Sequence, residues 1–388
     1  MQAATQHWNR LIEDSVTLRR DLHRHPELGW QERNTAERIR QQLTQLDIPW
    51  HVCADTGTVA TLAAGRPGRH IALRADIDAL PIVEASGVQW HSHNHGCMHA
   101  CGHDGHAASL HATAAWLKQQ EENLPGPVTL LFQPAEEGGH GAKRMIDDGA
   151  LEGVDAIFGW HNWPAIPFGQ AVCPDGPVMA GNGTFKIVLE GRGGHASQPE
   201  LCQDPVLAGS AVVMALQQIV SRRLPAQQAT VLSVTSFDAP SGSTVIPDEA
   251  ILEGSFRITE AGTRETLRQL ITDVAKSTAG AYGVNCDVQL FPRYDATVNH
   301  SKEAARYRNA LQEEFGPQWL SESTAVPIMA SEDFSYYLKQ IPGAFALIGA
   351  DDGNNNHHPC HSAKYDFNDA LIPHVARIYS RLVGASLP

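Results

Sequence analysis

The sequence predicts an α/β protein: a sheet domain interrupted by an inserted ferredoxin-like domain. Three observations lead there. Short apolar runs alternate with helical stretches up to about Trp160. The order of elements changes after Met179-Ala180-Gly181-Asn182-Gly183. Metal-binding residue types collect just beyond the apolar runs on both sides of that change. Alternating strands and helices make a sheet with helices on its faces, and open α/β sheets place ligands beyond their strand ends.

Residues 8–25 carry apolar side chains at helical spacing (Trp8, Leu11, Ile12, Val16, Leu18, Leu22), and a second helix is expected from Asn34 to Leu46. Strand character follows at 57–62, 70–73, 128–132 and 156–160, with helices at 105–120 and 141–148 between them. From residue 184 the reading is strand (184–190), helix (205–220), strand (230–237), strand (249–257), helix (263–281) and strand (285–291). That βαββαβ order is the ferredoxin-like motif. It divides the chain into a first sheet part at 1–180, an inserted domain at 181–293, and a second sheet part at 294–388.

Composition narrows the function. A chain of 388 residues exceeds one average core. Its 42% hydrophobic and 19% charged residues are those of a soluble globular protein. A net charge of -14 argues against nucleic acid, whose phosphates require basic patches. No run approaches the ~18 apolar residues of a membrane span. The first residues lack the basic head and apolar stretch of a signal peptide, and seven cysteines without framework spacing fit a reducing compartment. The expected location is the cytoplasm.

The densest chemical signal lies between His91 and His111, where seven histidines and two cysteines fall within 21 residues. Imidazole and thiolate bind borderline-soft metals best, and Cys101 and His103 are spaced to share one metal or serve adjacent ones. Glu136 and Glu137 follow the apolar run that ends at Phe132. If side chains alternate there, one acid can bind metal while the other serves a water as general base. His161 ends an apolar strand among aromatics, and His361 stands in a Gly/Asn-rich loop after the run 344–349.

These residues belong to longer motifs: DLHRHPELGWQE (21–32), ALRADIDALPI (72–82), MHACGHDGHAASL (98–110), FQPAEEGGHGAKRMIDDGAL (132–151), GWHNWP (159–164), GRGGHASQP (191–199), VIPDEAILEGSFR (245–257) and SEDFSYY (331–337). Together they resemble the di-metal amidohydrolases of metallopeptidase family M20, subfamily D. Aminoacylases, hippurate hydrolase, plant auxin–amino acid conjugate hydrolases and carboxypeptidase G are among those relatives. The resemblance implies a zinc-peptidase-like catalytic sheet with a ferredoxin-like lid, and two divalent cations (zinc, manganese, cobalt or nickel). It implies that Cys101 bridges them, with His103, Glu137, His161 and His361 as the other ligands. Glu136 would be the general base, and Asp76 and Asp78 would orient ligands. The remaining histidines (91, 93, 95, 99, 106 and 111) receive no ligand role.

In the insert, the resemblance implies that His195 stabilises the oxyanion, often in the partner subunit of a dimer. Arg257 would clamp the carboxylate of an N-acyl amino acid, since guanidinium is bidentate. Thr244 replaces an asparagine that contacts substrate in many relatives. Glu200 replaces a histidine and suits a cationic side chain, as in an N-acetylated diamino acid. Glu332 matches a motif without an evident role. The expected activity is hydrolysis of N-acyl amino acids by a homodimer or larger homo-oligomer, with a metallo-carboxypeptidase or dipeptidase as the alternative. A non-catalytic metal-binding protein is disfavoured because storage needs no spare base beside Glu137. An inactive binding descendant is disfavoured because every expected ligand position is occupied.

Overall fold

The structure, a computed structural model, describes residues 2–260, 262–354 and 356–387. It is a mixed α/β protein of two compact units, one formed by Met1–Val178, Val298–Val326 and Asp333–Pro388, the other by Met179–Thr297 and Pro327–Glu332.

The first unit is built on a seven-stranded sheet. Its four central strands are parallel, in the order Val128–Gln133, Ile71–Asp76, Ala156–Pro167, Gly343–Asp351. Antiparallel strands flank them: Gly57–Leu62 and Trp50–Cys53 on one side, Ala171–Val172 on the other. Ile71–Asp76 and Val128–Gln133 are buried at every position, as a sheet covered on both faces requires. The helix His103–Lys118 is buried around nearly its whole circumference. Its alanines at 107, 108, 112, 114 and 115 permit close approach of the helices Gln2–Arg24 and Leu371–Leu382.

Two elements of this unit differ from the sequence expectation. The strand through His161 continues to Pro167 rather than stopping at Trp160, so His161 lies within a strand and not beyond it. Trp50–Cys53 is an additional strand, exposed at three of its four positions, which explains why no apolar run announces it. Among the described residues no helix is long and apolar enough to cross a membrane.

The second unit has four antiparallel strands in the order Thr230–Asp238, Glu249–Ile258, Gly181–Glu190, Asn285–Pro292. Helices Pro205–Gln218 and Thr263–Ala281 pack together against the sheet, which is the ferredoxin-like topology. The core forms because alternate positions (Phe185, Ile187, Leu189, Leu252, Phe256) meet Val212, Leu216, Leu267 and Ile271 from the helices. Asp204 caps the first helix by accepting from Val206 N at 2.8 Å and Leu207 N at 3.1 Å, with Pro205 at its first position.

An ion cluster ties the helix Ser301–Phe315 to Leu371–Leu382 in the first unit. Glu314 accepts from Arg377 Nε and pairs with His374 Nδ1, both at 2.7 Å, and with Arg381 at 2.5 Å. Burial alone would raise its carboxyl, but these partners pull it from 4.5 to about 2. A depressed folded value contributes stability that is complete above 4.5 and lost as pH falls toward 2. Glu314→Gln is therefore expected to lose on the order of 2 kcal/mol at pH 7. Denaturant titration of both proteins should show that difference closing as pH is lowered from 5 to 2.

Candidate metal centre

The chain passes from the strand Ile71–Asp76 to its neighbour Val128–Gln133 on one side, then to Ala156–Pro167 on the other. A crevice opens where strand order reverses in this way, and the metal-binding residue types converge at its carboxyl edge. Cys101 and His103 do not share an extended turn. Gly102 between them is left-handed at φ 95° and precedes the helix that His103 begins. A Cβ at Gly102 would run into Asn162 Oδ1 and the Tyr365 hydroxyl, so only glycine permits this approach.

Glu136 and Glu137 likewise sit in a turn beyond the strand rather than in alternating extended positions. Ala135 adopts φ 51°, and this left-handed residue redirects the chain. Glu136 is buried while Glu137 is half-buried. His361, in its loop, is also left-handed, at φ 68°.

Among the described residues five groups of candidate ligand atoms form; three are Asp76–His103–His106, His103–Glu136–Glu137 and Glu136–Glu332–Asp333, and the other two share Cys101. Cys101, His103 and His161 form one, and Cys101, Glu137 and His361 the other; within each, the candidate atoms lie within 4.8 Å of one another. Cys101 is common to both. Its Sγ is 3.3 Å from His161 Nε2, and His361 Nε2 is 3.0 Å from Glu137 Oε1. The outer nitrogens are held from behind. His161 Nδ1 donates to Asn162 O at 2.6 Å. His103 Nδ1 faces Asp78 O at 3.0 Å and Asp78 Oδ1 at 3.1 Å. The second oxygen of Asp78 accepts from Glu137 N at 2.9 Å. Such contacts fix which nitrogen points inward.

The donors fit cations. His103 Nε2 is buried without a hydrogen-bond partner, a costly state for a polar atom unless something binds it. Burial lowers the His103 imidazole, but Asp76 and Asp78 outweigh it and bring the group to about 10. Burial and then His106 hold His161 well below its ordinary value. The Cys101 thiol is pushed well up by Cys360 and then by burial, with Glu137 and Glu136 adding to it. Thiolate and neutral imidazole are the metal-binding forms. A divalent cation is the partner that makes a buried thiolate favourable here.

Asp76 touches His106 Nδ1 at 2.5 Å and Arg74 at 2.6 Å, so it acts on a histidine outside both sets that share Cys101, while its Oδ2 stands 3.6 Å from His103 Nε2. His106 also lies 2.7 Å from Asn162 Oδ1 and against the Trp160 ring. Of the remaining histidines, 91, 93 and 95 are exposed, and 99 and 111 are buried. Asn162 and Asp333 were not singled out from sequence. Asn162 joins His106 to Tyr365, and Asp333 accepts from Gln133, Ala142 N and Arg74. Asn162 stands within GWHNWP and Asp333 within SEDFSYY, so motif membership was the available signal.

The second unit brings His195 and Thr244 together. Gly194–His195 pairs with Val245–Ile246, and Ala196 N donates to Thr244 O at 2.9 Å. His195 is exposed, its Nδ1 bonded to Ser197 Oγ at 2.8 Å. Glu200 is exposed in the short turn Pro199–Leu201. Arg257, half-buried, donates to Ser331 Oγ at 3.1 Å. Glu332 is buried, and its carbonyl accepts from Thr297 Oγ1.

Known proteins similar to this chain are numerous. The profile of peptidase family M20/M25/M40 matches residues 72–385. The chain is 39% identical over 374 residues to the IAA-amino acid hydrolase ILR1-like 2 of Arabidopsis thaliana, covering 95% of this chain and 84% of that protein. It is 39% identical over 350 residues to the N-acetyl-L-cysteine deacetylase of Bacillus subtilis, covering 90% and 83%. The crystal structure of the Bacillus subtilis YXEP protein, described as a dinuclear metal binding peptidase of the M20 family, has a TM-score of 0.83 and 32% identity over 97% of this chain and 98% of its own. The chain therefore belongs to peptidase family M20/M25/M40 and is a hydrolase of amide bonds.

Proposed function

We propose that this protein is a metal-dependent amidohydrolase that releases free amino acids from N-acyl, chiefly N-acetyl, amino acids. The observation that carries the reading is the sharing of Cys101 between two ligand sets with the buried Glu136 beside them. His103 and His161 would hold one cation, Glu137 and His361 the other, and Cys101 both. The donor set suits zinc, manganese, cobalt or nickel. Bound there, two divalent ions supply Lewis acidity toward a water and a scissile carbonyl.

The remaining work falls to side chains. Glu136, buried and not needed to complete either set that shares Cys101, takes the proton from the attacking water and returns it to the departing amine. Asp78 keeps His103 and the Glu137 peptide in place. His195 offers Nε2 as a donor to the developing oxyanion, and Arg257 receives the substrate carboxylate. Thr244 and Glu200 shape specificity, the latter toward a cationic side chain such as that of an N-acetylated diamino acid. We further propose a cytoplasmic homodimer formed through the second unit. The names of the Bacillus deacetylase and the Arabidopsis conjugate hydrolase support an acyl amino acid over a peptide as substrate.

Glu136→Gln is expected to retain both metals by elemental analysis while kcat falls by about 10²–10⁴; turnover near wild type would remove Glu136 as the base. Cys101→Ala takes one ligand from each set, so metal content should drop below two ions per chain, with activity lost in parallel. Unchanged stoichiometry would mean that Cys101 does not bridge. Steady-state assays of metal-loaded protein on N-acetyl amino acids, N-benzoyl amino acids and dipeptides should give the highest kcat/KM for an N-acyl amino acid. A preference for dipeptides would favour the peptidase alternative.

A further inference from the structure

Glu32 is fully buried at the start of the helix Arg33–Gln45. A carboxylate there would ordinarily cap its own helix, yet Glu32 makes no side-chain cap bond. Glu27 does that work instead, accepting from Asn34 N at 3.2 Å and Thr35 N at 2.8 Å. The Glu32 carboxyl turns inward. One oxygen accepts from Ala135 N at 2.8 Å and the other from Thr56 Oγ1 at 2.8 Å.

Ala135 is the left-handed residue immediately before Glu136. A non-glycine residue in that region is unfavourable and persists only where its surroundings hold it. Neighbours of Glu32 brace the same turn. Trp30 Nε1 donates to Gly139 O at 3.1 Å. Gly29 lies so close that a Cβ there would meet Ala135 Cα at 3.2 Å and Asp78 Oδ2 at 3.6 Å. On the far side of Glu136, Asp78 holds the Glu137 peptide. The Glu136 residue is thus bracketed by two buried carboxylates, each gripping the backbone amide of an adjacent residue.

We propose that Glu32 is a positioning residue for Glu136: through the Ala135 amide it sets the turn that aims the Glu136 carboxylate at the attacking water. The inference rests on the reading of Glu136 as general base. It differs from a ligand role because Glu32 belongs to none of the candidate ligand groups. It differs from a purely structural role because the amide it holds is that of Ala135, whose left-handed backbone sets the turn into Glu136.

The test uses full-length, metal-loaded enzyme acting on N-acetyl amino acids. Glu32→Gln keeps an acceptor for Ala135 N and should hold kcat within about fivefold of wild type. Glu32→Met removes the acceptor at similar volume, and kcat should fall about 10²-fold, as misplacement by an ångström can produce. KM should stay within twofold and metal content at two ions per chain. Glu32→Asp, which retreats by one methylene and keeps the charge, covers the case in which the methionine variant does not fold; it should show the same loss in kcat alone. Adding Glu32→Met or Glu32→Asp to Glu136→Gln should cost little further. Equal activity of the Gln and Met variants, or of the Gln and Asp variants, would overturn the proposal. So would a loss confined to KM or metal content, or full additivity with Glu136→Gln. If instead Glu136→Gln alone stays active, the general-base reading fails, and that outcome is distinct from the others.

Discussion

A buried guanidinium at the end of the central strand organises the site. Arg74 has no exposure to water, and a charge so placed costs several kcal/mol unless carboxylates and hydrogen bonds surround it. It is met by Asp76 at 2.6 Å, Gln133 Oε1 at 2.8 Å and Asp333 at 3.1 Å. These partners come from the same strand, from the neighbouring parallel strand, and from a segment more than two hundred residues later. Satisfying one cation therefore draws the carboxyl edge of the sheet together. Asp76 uses its other oxygen to grip His106, and Asp333 fastens the start of the helix Gly141–Asp147 through Ala142 N.

The candidate metal-ligand positions are the outer layer of that network. Asp78 orients His103, Asn162 receives His161 on its carbonyl, and His106 packs between Asp76 and Asn162 without entering either set that shares Cys101. An imidazole with one nitrogen engaged from behind presents the other in a fixed direction. A second buried network, Arg19 with Asp104, His23 and Asp366, holds the first turn of the helix His103–Lys118 through Asp104.

Left-handed non-glycine residues occur in several turns, and two of them stand where ligand and base side chains are presented. Ala135 and His361 are left-handed without being glycine, and Gly102 is left-handed with Asn162 pressed against the place of its missing Cβ. Each lies at or next to a residue of the centre, and each is held by contacts distant in sequence. Stored strain of this kind keeps a site near one geometry before a ligand arrives.

Much of the architecture was legible in local pattern: short apolar runs became strands, the βαββαβ order became the four-stranded unit with two helices, and chemical motifs fell near the carboxyl ends of parallel strands. Cys101, His103, Glu137, His161 and His361 could be named because their motifs were recognisable. What periodicity could not decide was orientation. His103 and His106 are both buried on one helix, yet only His103 has a nitrogen left facing the cluster, because Asp76 and Asn162 occupy His106. Glu32 was visible only as the last residue of DLHRHPELGWQE; the contact that gives it its proposed role is with an amide 103 residues away. Hydrophobic period and residue type are properties of short segments and are readable in one dimension. The direction of a buried polar atom depends on which distant groups satisfy it, and folding alone brings those groups into contact.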